Sequence, residues 1–217
     1  MSFFHYEAIL FDCDGVIVDT ETISSQILTE MLAKCGLHLD AKTLHDQFAG
    51  YTTEQNLKTA SQMLGKPLPD TFLEDYKAAF KQTISQSLQP IPGITAILDK
   101  LTCPIAMATN AIRSETEYKL QLIGLTEHFK TRFCVDDVAH GKPAPDLYLA
   151  AAAALGKHPS QCLVIEDSLA GIQAGKAAGA TVLGFSANMD ADAQINAGAS
   201  TTFASMTELA QLLGLVD

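Results

Sequence analysis

The sequence predicts an α/β protein: a parallel sheet with helices on both faces, plus an all-α module inserted after the first strand. Three observations predict it. After Gly93, short apolar runs alternate with segments of helical periodicity, the pattern of successive βαβ units. Between about Thr20 and about Leu88 the pattern is helical and poor in strand signals, and this block is too long for a simple connection. Several apolar runs end abruptly in polar or acidic residues, as strands do at the carboxyl edge of a parallel sheet, where ligands bind.

The elements follow in order. Ala8-Ile9-Leu10-Phe11 reads as a buried strand. Ser24 to Leu32 places apolar residues at helical spacing, and Gly36 follows as a stop. Thr52 to Gln55 has the form of a capping box opening a second helix. Pro67 and Pro69 break the chain before a helix through Phe72, Tyr76 and Phe80, and Pro90-Ile91-Pro92-Gly93 marks a boundary. Ile105–Ala108 is a strand, and Ser114 to Glu117 is a capping box for a helix that stops near Gly124. Phe133–Val135 is a short strand. A helix from Asp146, which serves as its N-cap, ends at Gly156. Leu163-Val164-Ile165 is a buried strand, Ser168 to about Lys176 a helix, and Thr181–Leu183 a strand. Domain boundaries are expected at 1–17 with 88–217 for the sheet domain, and at 18–87 for the helical insert.

Composition bounds the function. The 217 residues carry a formal charge of −11, which disfavours nucleic acid and anionic membrane surfaces. No apolar stretch approaches the ~20 residues that span a bilayer, and no secretory signal is seen at the N-terminus. The five cysteines form no Cys-x-x-Cys pair and are odd in number, so a reduced, cytoplasmic protein is expected. A monomer is expected too.

Four motifs carry chemistry. Asp12-Cys13-Asp14-Gly15 ends the first strand. Paired carboxylates there repel unless a cation or a shared proton intervenes, and a carboxylate can itself attack phosphorus. Mg²⁺ suits hard oxygen ligands and keeps positions open for a substrate phosphate. Thr109 and Asn110 end a second strand and can donate to phosphate oxygens. Gly141-Lys142-Pro143-Ala144-Pro145-Asp146 puts an ammonium on a stiff loop. Leu163 to Glu166-Asp167 supplies further acids, one for a metal's ligand shell and one for support behind it. Gly171, Gly175 and Gly179 form a side-chain-free stripe that lets the following helix lie close to the sheet. Each motif alone has an ordinary structural reading as a turn, cap or exposed charge. Carboxyl ends of parallel strands face one side, so all four should meet.

In order and spacing these motifs resemble the haloacid dehalogenase superfamily of phosphotransferases, over essentially the whole chain. The likeness is strongest to the subgroup of beta-phosphoglucomutase and small sugar-phosphate phosphatases, with a Rossmann-like core and a helical cap. The resemblance implies that Asp12 is nucleophile and Mg²⁺ ligand. It implies that Asp14 is the acid–base group, its backbone carbonyl also ligating the metal. Thr109, Asn110 and Lys142 would hold phosphoryl oxygens, and Glu166 and Asp167 would complete the metal site. Gly50 and Tyr51, in the cap loop Ala49–Thr53, would touch the substrate. Family members that cleave carbon–halogen or carbon–phosphorus bonds lack an aspartate at the position of Asp14, so phosphate esters are favoured. The mutase's cap histidine aligns with Ser24, and its Lys-Gly-x-x-x-Arg segment with Ala49 to Thr53, so its cations are missing here. The reading is therefore a Mg²⁺-dependent phosphatase of a small phosphorylated metabolite, a sugar phosphate or a phosphogluconate-like ester. A mutase-type phosphotransfer and a non-catalytic binding protein of the same fold remain the alternatives.

Overall fold

The structure, a computed structural model, describes residues 4–48 and 53–216. Six strands form one parallel sheet: β1 (Ala8–Phe11), β2 (Ile105–Ala108), β3 (Arg132–Phe133), β4 (Cys162–Glu166), β5 (Thr181–Phe185) and β6 (Thr201–Phe203), in the order β3-β2-β1-β4-β5-β6. The α/β expectation is met. Every residue of β1 and of β4 is buried, as expected for parallel strands covered on both faces. The strand order reverses beside β1, and the crevice at such a switch point is where doubly wound sheets place ligands. Phe11 pairs with Ile165 in the register, so the residues that follow β1 emerge next to the end of β4.

The chain divides into two compact units, Met1–Asp19 with Gln89–Asp217, and Thr20–Leu88. In the second unit lie α1 (Thr20–Lys34), α2 (Ala41–Phe48), α3 (Thr53–Leu64) and α4 (Phe72–Ser87). Ile23, Ile27, Leu28 and Leu32 form the buried stripe of α1, a helical spacing that requires a packed partner. α4 supplies Phe72, Tyr76 and Ile84. Ser24 Oγ and Tyr76 OH share a 2.6 Å hydrogen bond across this pair, which commits the hydroxyl that stands at the mutase's histidine position.

The sheet unit adds α5 (Ile94–Leu98), α6 (Arg113–Leu122), α7 (Asp146–Ala154), α8 (Leu169–Ala178), α9 (Ala191–Ala197) and α10 (Met206–Leu212). One core layer joins Leu10, Ala106 and Val164 of the sheet to Leu147, Tyr148, Ala151 and Ala152 of α7 and to Ile172 and Ala174 of α8.

Several local expectations are corrected. Ser114 does not cap α6: the helix begins at Arg113, and Ile112 at the N-cap position offers no side-chain bond. The Arg113 N–H donates instead to Asp136 Oδ1 at 3.0 Å, so a residue after β3 does the capping. Asp146 is the first helical residue of α7, and no side chain caps that helix; its carboxylate meets His140 Nδ1 at 3.2 Å. The strand expected at Phe133–Val135 is Arg132–Phe133, followed by a single 3₁₀ turn at Val135–Asp137. Gly179 stands off the packing stripe and is the left-handed C-cap of α8, with φ +87°. The Thr52 cap lies outside the described residues.

Candidate active site

The Asp12 carboxylate lies buried just past the end of β1, between β2 and β4. Asp12 continues β1, and its N–H donates to Ile165 O at 3.0 Å, so it stays in register with β4. Its side chain is only 10% exposed and accepts the Lys142 ammonium at 2.5 Å. The chain then turns through Gly15, at φ +84°, where a Cβ would stand 1.9 Å from Asp167 Oδ2. Any side chain at position 15 would be strained and would displace Asp167.

Lys142 is fixed twice over. The Asn110 side chain clamps its peptide: Oδ1 accepts the Lys142 N–H at 2.8 Å and Nδ2 donates to the Lys142 carbonyl at 3.1 Å. Gly141 makes room, because a Cβ there would lie 2.6 Å from Asn110 Oδ1. The ammonium lies 2.6 Å from Glu166 Oε1 as well as against Asp12, and 4.9 Å from the centre of the Tyr148 ring. Burial pulls the Lys142 pKa down, but Asp12 and Glu166 outweigh it and leave the ammonium well above its ordinary range.

Glu166 is fully buried, and donors surround it. Oε2 accepts Asp167 N, Ser168 N and Ser168 Oγ at 3.0, 2.9 and 3.0 Å, and Oε1 accepts Tyr148 OH at 2.9 Å beside Lys142. A carboxylate has about four lone-pair sites, so these donors saturate it. Gly171 permits the arrangement: a Cβ there would fall 1.6 Å from Glu166 Oε1. Thr109, 2% exposed, accepts the Ala111 N–H at 3.1 Å, which leaves its hydroxyl proton to be donated. Asp14 sits at the same turn, and both its oxygens accept the Lys119 ammonium, at 2.6 and 2.8 Å. Asp12, Asp14, Thr109, Asn110, Lys142, Glu166 and Asp167 thus all belong to the sheet unit and its strand ends. Gly50 and Tyr51 lie outside the described residues.

The family model for haloacid dehalogenase-like hydrolases matches residues 9–185. The chain belongs to this family. The hydrolase is 29% identical over 208 residues to the 6-phosphogluconate phosphatase of Escherichia coli strain K12, covering 95% of this chain and 94% of that one. It is 33% identical over 180 residues to a bifunctional riboflavin kinase/FMN phosphatase of Arabidopsis thaliana, with 81% of this chain aligned to 47% of that protein. The hydrolase thus spans about half the length of that relative. Among solved structures, a HAD family hydrolase from Deinococcus radiodurans R1 with bound phosphate and sodium is similar, with TM-score 0.87, 35% identity and 98% of each chain covered.

The hydrolase's acid cluster has the chemistry of a hard-cation site. One ligand oxygen each from Asp12, Glu166 and Asp167 lies within 4.8 Å of the others, and such oxygens suit a divalent ion. Burial pushes the Asp12 carboxyl up to about 7, opposed by the Lys142 charge and reinforced by Glu166 and Asp14. Burial therefore disfavours the charged form of this acid, and a bound cation would favour it.

Three contributors escaped the sequence reading. Lys119 is buried on α6 beside Thr116 and Leu120; the signal was a cation within an otherwise inward-facing stripe. Tyr148, one turn after the lysine loop, tethers Glu166. Gln194 on α9 is fully buried and donates to Asp167 O at 2.7 Å and Phe185 O at 2.9 Å, tying down the acid turn.

Proposed function

We propose that this hydrolase cleaves a small phosphomonoester, a sugar phosphate or sugar-acid phosphate, with Mg²⁺ and through an aspartyl-phosphate on Asp12. The observation that carries the reading is the convergence of a buried nucleophile-grade carboxylate, a locked ammonium and two further acids at the switch point of the sheet. The named activities of the relatives and the phosphate bound by the Deinococcus protein support it.

Asp12 attacks phosphorus, and the bond to the leaving oxygen breaks. Asp14 supplies the proton that the departing alkoxide takes up. It then takes a proton from water as that water attacks the phosphoryl group, which releases phosphate and restores Asp12. Each proton transfer of this kind contributes ~10²–10⁴-fold. Lys142 neutralises charge on the phosphoryl oxygens, and the Thr109 hydroxyl donates to one of them; phosphoryl transfer depends chiefly on such positioning and charge. Asn110 acts by holding the Lys142 peptide. Asp12, Asp167 and the Asp14 carbonyl would hold the Mg²⁺, which would supply positive charge to offset that of the phosphoryl group. The saturation of Glu166 favours its support from behind, through Lys142 and the Asp167–Ser168 turn, over direct ligation.

Residues 1–17 and 88–217 form the catalytic core in this reading and 18–87 the cap, with Gly50 and Tyr51 as its substrate-selecting residues. The protein works as a cytoplasmic monomer; its five cysteines are unpaired. No helix among the described residues is long and apolar enough to cross a membrane.

The test is phosphate release from a panel of sugar, polyol and sugar-acid phosphates, with and without Mg²⁺. Metal-dependent release that Asp12→Asn abolishes is expected. Conversion of beta-glucose 1-phosphate to glucose 6-phosphate without net phosphate release would establish the mutase reaction in its place.

A further inference from the structure

Lys119 occupies a position that packing alone would give to an aliphatic side chain. Thr116, Lys119 and Leu120 are the buried residues of α6, and burying an ammonium without a partner is costly. Its partner is the Asp14 carboxylate, bonded through both oxygens at 2.6 and 2.8 Å. The burial is lopsided: the Lys119 side chain is 7% exposed and that of Asp14 33%. The helix-borne lysine is therefore the fixed member, and the aspartate on the turn is the member being held. Two bonds to one carboxylate restrain its rotation as well as its location, which a single contact would not do.

We propose that Lys119 is a positioning residue of the acid–base step, holding the Asp14 carboxylate where it exchanges a proton with the leaving oxygen and then with water. The inference rests on the reading of Asp14 as the acid–base group. The ester P–O bond breaks as the Asp12 O–P bond forms, the proton passes from Asp14 to the leaving alkoxide, and Lys119 exchanges no proton in either step. A transferring group must come within about 2.6–3.2 Å of its target, so an Asp14 carboxylate that loses both Lys119 bonds is less often in reach.

The leaving group separates this role from a structural one. p-Nitrophenolate departs without needing a proton, whereas the alkoxide of a sugar phosphate needs one. In Lys119→Met, kcat/KM for an alkyl ester (6-phosphogluconate, or glucose 6-phosphate if that turns over faster) should fall about 10–100-fold. With p-nitrophenyl phosphate the fall should be no more than about threefold, because kcat/KM ends at the first irreversible step. Asp14→Asn should lose at least as much with the alkyl ester as Lys119→Met does, and Lys119→Arg should recover most of the alkyl-ester rate. Lys119→Gln is measured beside them, with melting curves to establish that each variant is folded. Equal losses on both esters, or no loss on either, would overturn the positioning role. If wild-type protein with Mg²⁺ released phosphate from neither ester, the phosphatase reading itself would fall, and this inference with it.

Discussion

Asp12 and Asp14 are separated by one residue, yet two different lysines hold them in two different ways. Asp12 faces Lys142, whose side chain is 3% exposed and whose ammonium is shared with the fully buried Glu166. Asp14 faces Lys119 across a pair whose acidic member is 33% exposed. The first grouping is rigid, because Asn110 fixes the lysine's peptide and Tyr148 and the Ser168 turn fix the glutamate. The second is a buried anchor gripping an open carboxylate. The difference matches the two tasks. A nucleophile must stay aligned with phosphorus, while an acid–base group must meet solvent and a leaving group in turn.

The largest expected effect breaks the rigid side. Asp12→Asn removes the attacking oxygen, and turnover should drop to below about 10⁻⁴ of wild type while the protein stays folded. Next comes Lys142→Met. It withdraws charge from the developing phosphoryl oxygens, at a cost of about 10²–10³-fold in kcat. It also leaves two buried acids without their cation, for a loss of about 3–5 kcal/mol in denaturant unfolding. Lys119→Met sharpens the comparison, because Asp14 can be hydrated: its stability cost should stay below about 1 kcal/mol. Tyr148→Phe deletes one of several bonds to Glu166, and about 0.5–1.5 kcal/mol of stability should go with it.

A pH dependence confined to the rigid side separates the two groupings as well. Burial raises Asp12 from its ordinary 3.8 to about 7, so metal-free folded protein keeps a proton that the unfolded chain has already released. Its stability therefore falls as pH rises from about 4 to about 7. Asp12→Asn lacks that slope. The melting-temperature difference between variant and wild type, measured without metal, should grow in the variant's favour from pH 5 to pH 8, by a few degrees. An unchanged difference would show that the Lys142 charge offsets burial and the Glu166 charge completely.

Much of this was legible in the sequence, and the rest was hidden for identifiable reasons. Apolar runs ending in acids revealed β1 and β4, because parallel strands buried on both faces need continuous apolar residues. The order of motifs revealed the site, because parallel strands present one common edge. The Lys119 partnership was invisible: a lysine on an amphipathic helix is ordinarily solvated, and its partner lies 105 residues away in sequence. The clamp between Asn110 and Lys142 spans 32 residues and looks locally like a turn. Gly171 read as a packing glycine, and only the fold shows that the group it admits is the Glu166 carboxylate. The Ser114 capping box failed because Asp136, from another loop, reached the helix end first. Local pattern thus gave the elements, and long-range pairing decided which polar groups serve them.

The most direct test of the covalent account is acid quenching of the Asp14→Asn variant during turnover of p-nitrophenyl phosphate with Mg²⁺, followed by peptide mapping. A protein-bound phosphoryl group on Asp12, approaching one per chain and missing from the double variant that also carries Asp12→Asn, is the expected result. Turnover continuing with no phosphate on the protein, or with the phosphate on another residue, would contradict it.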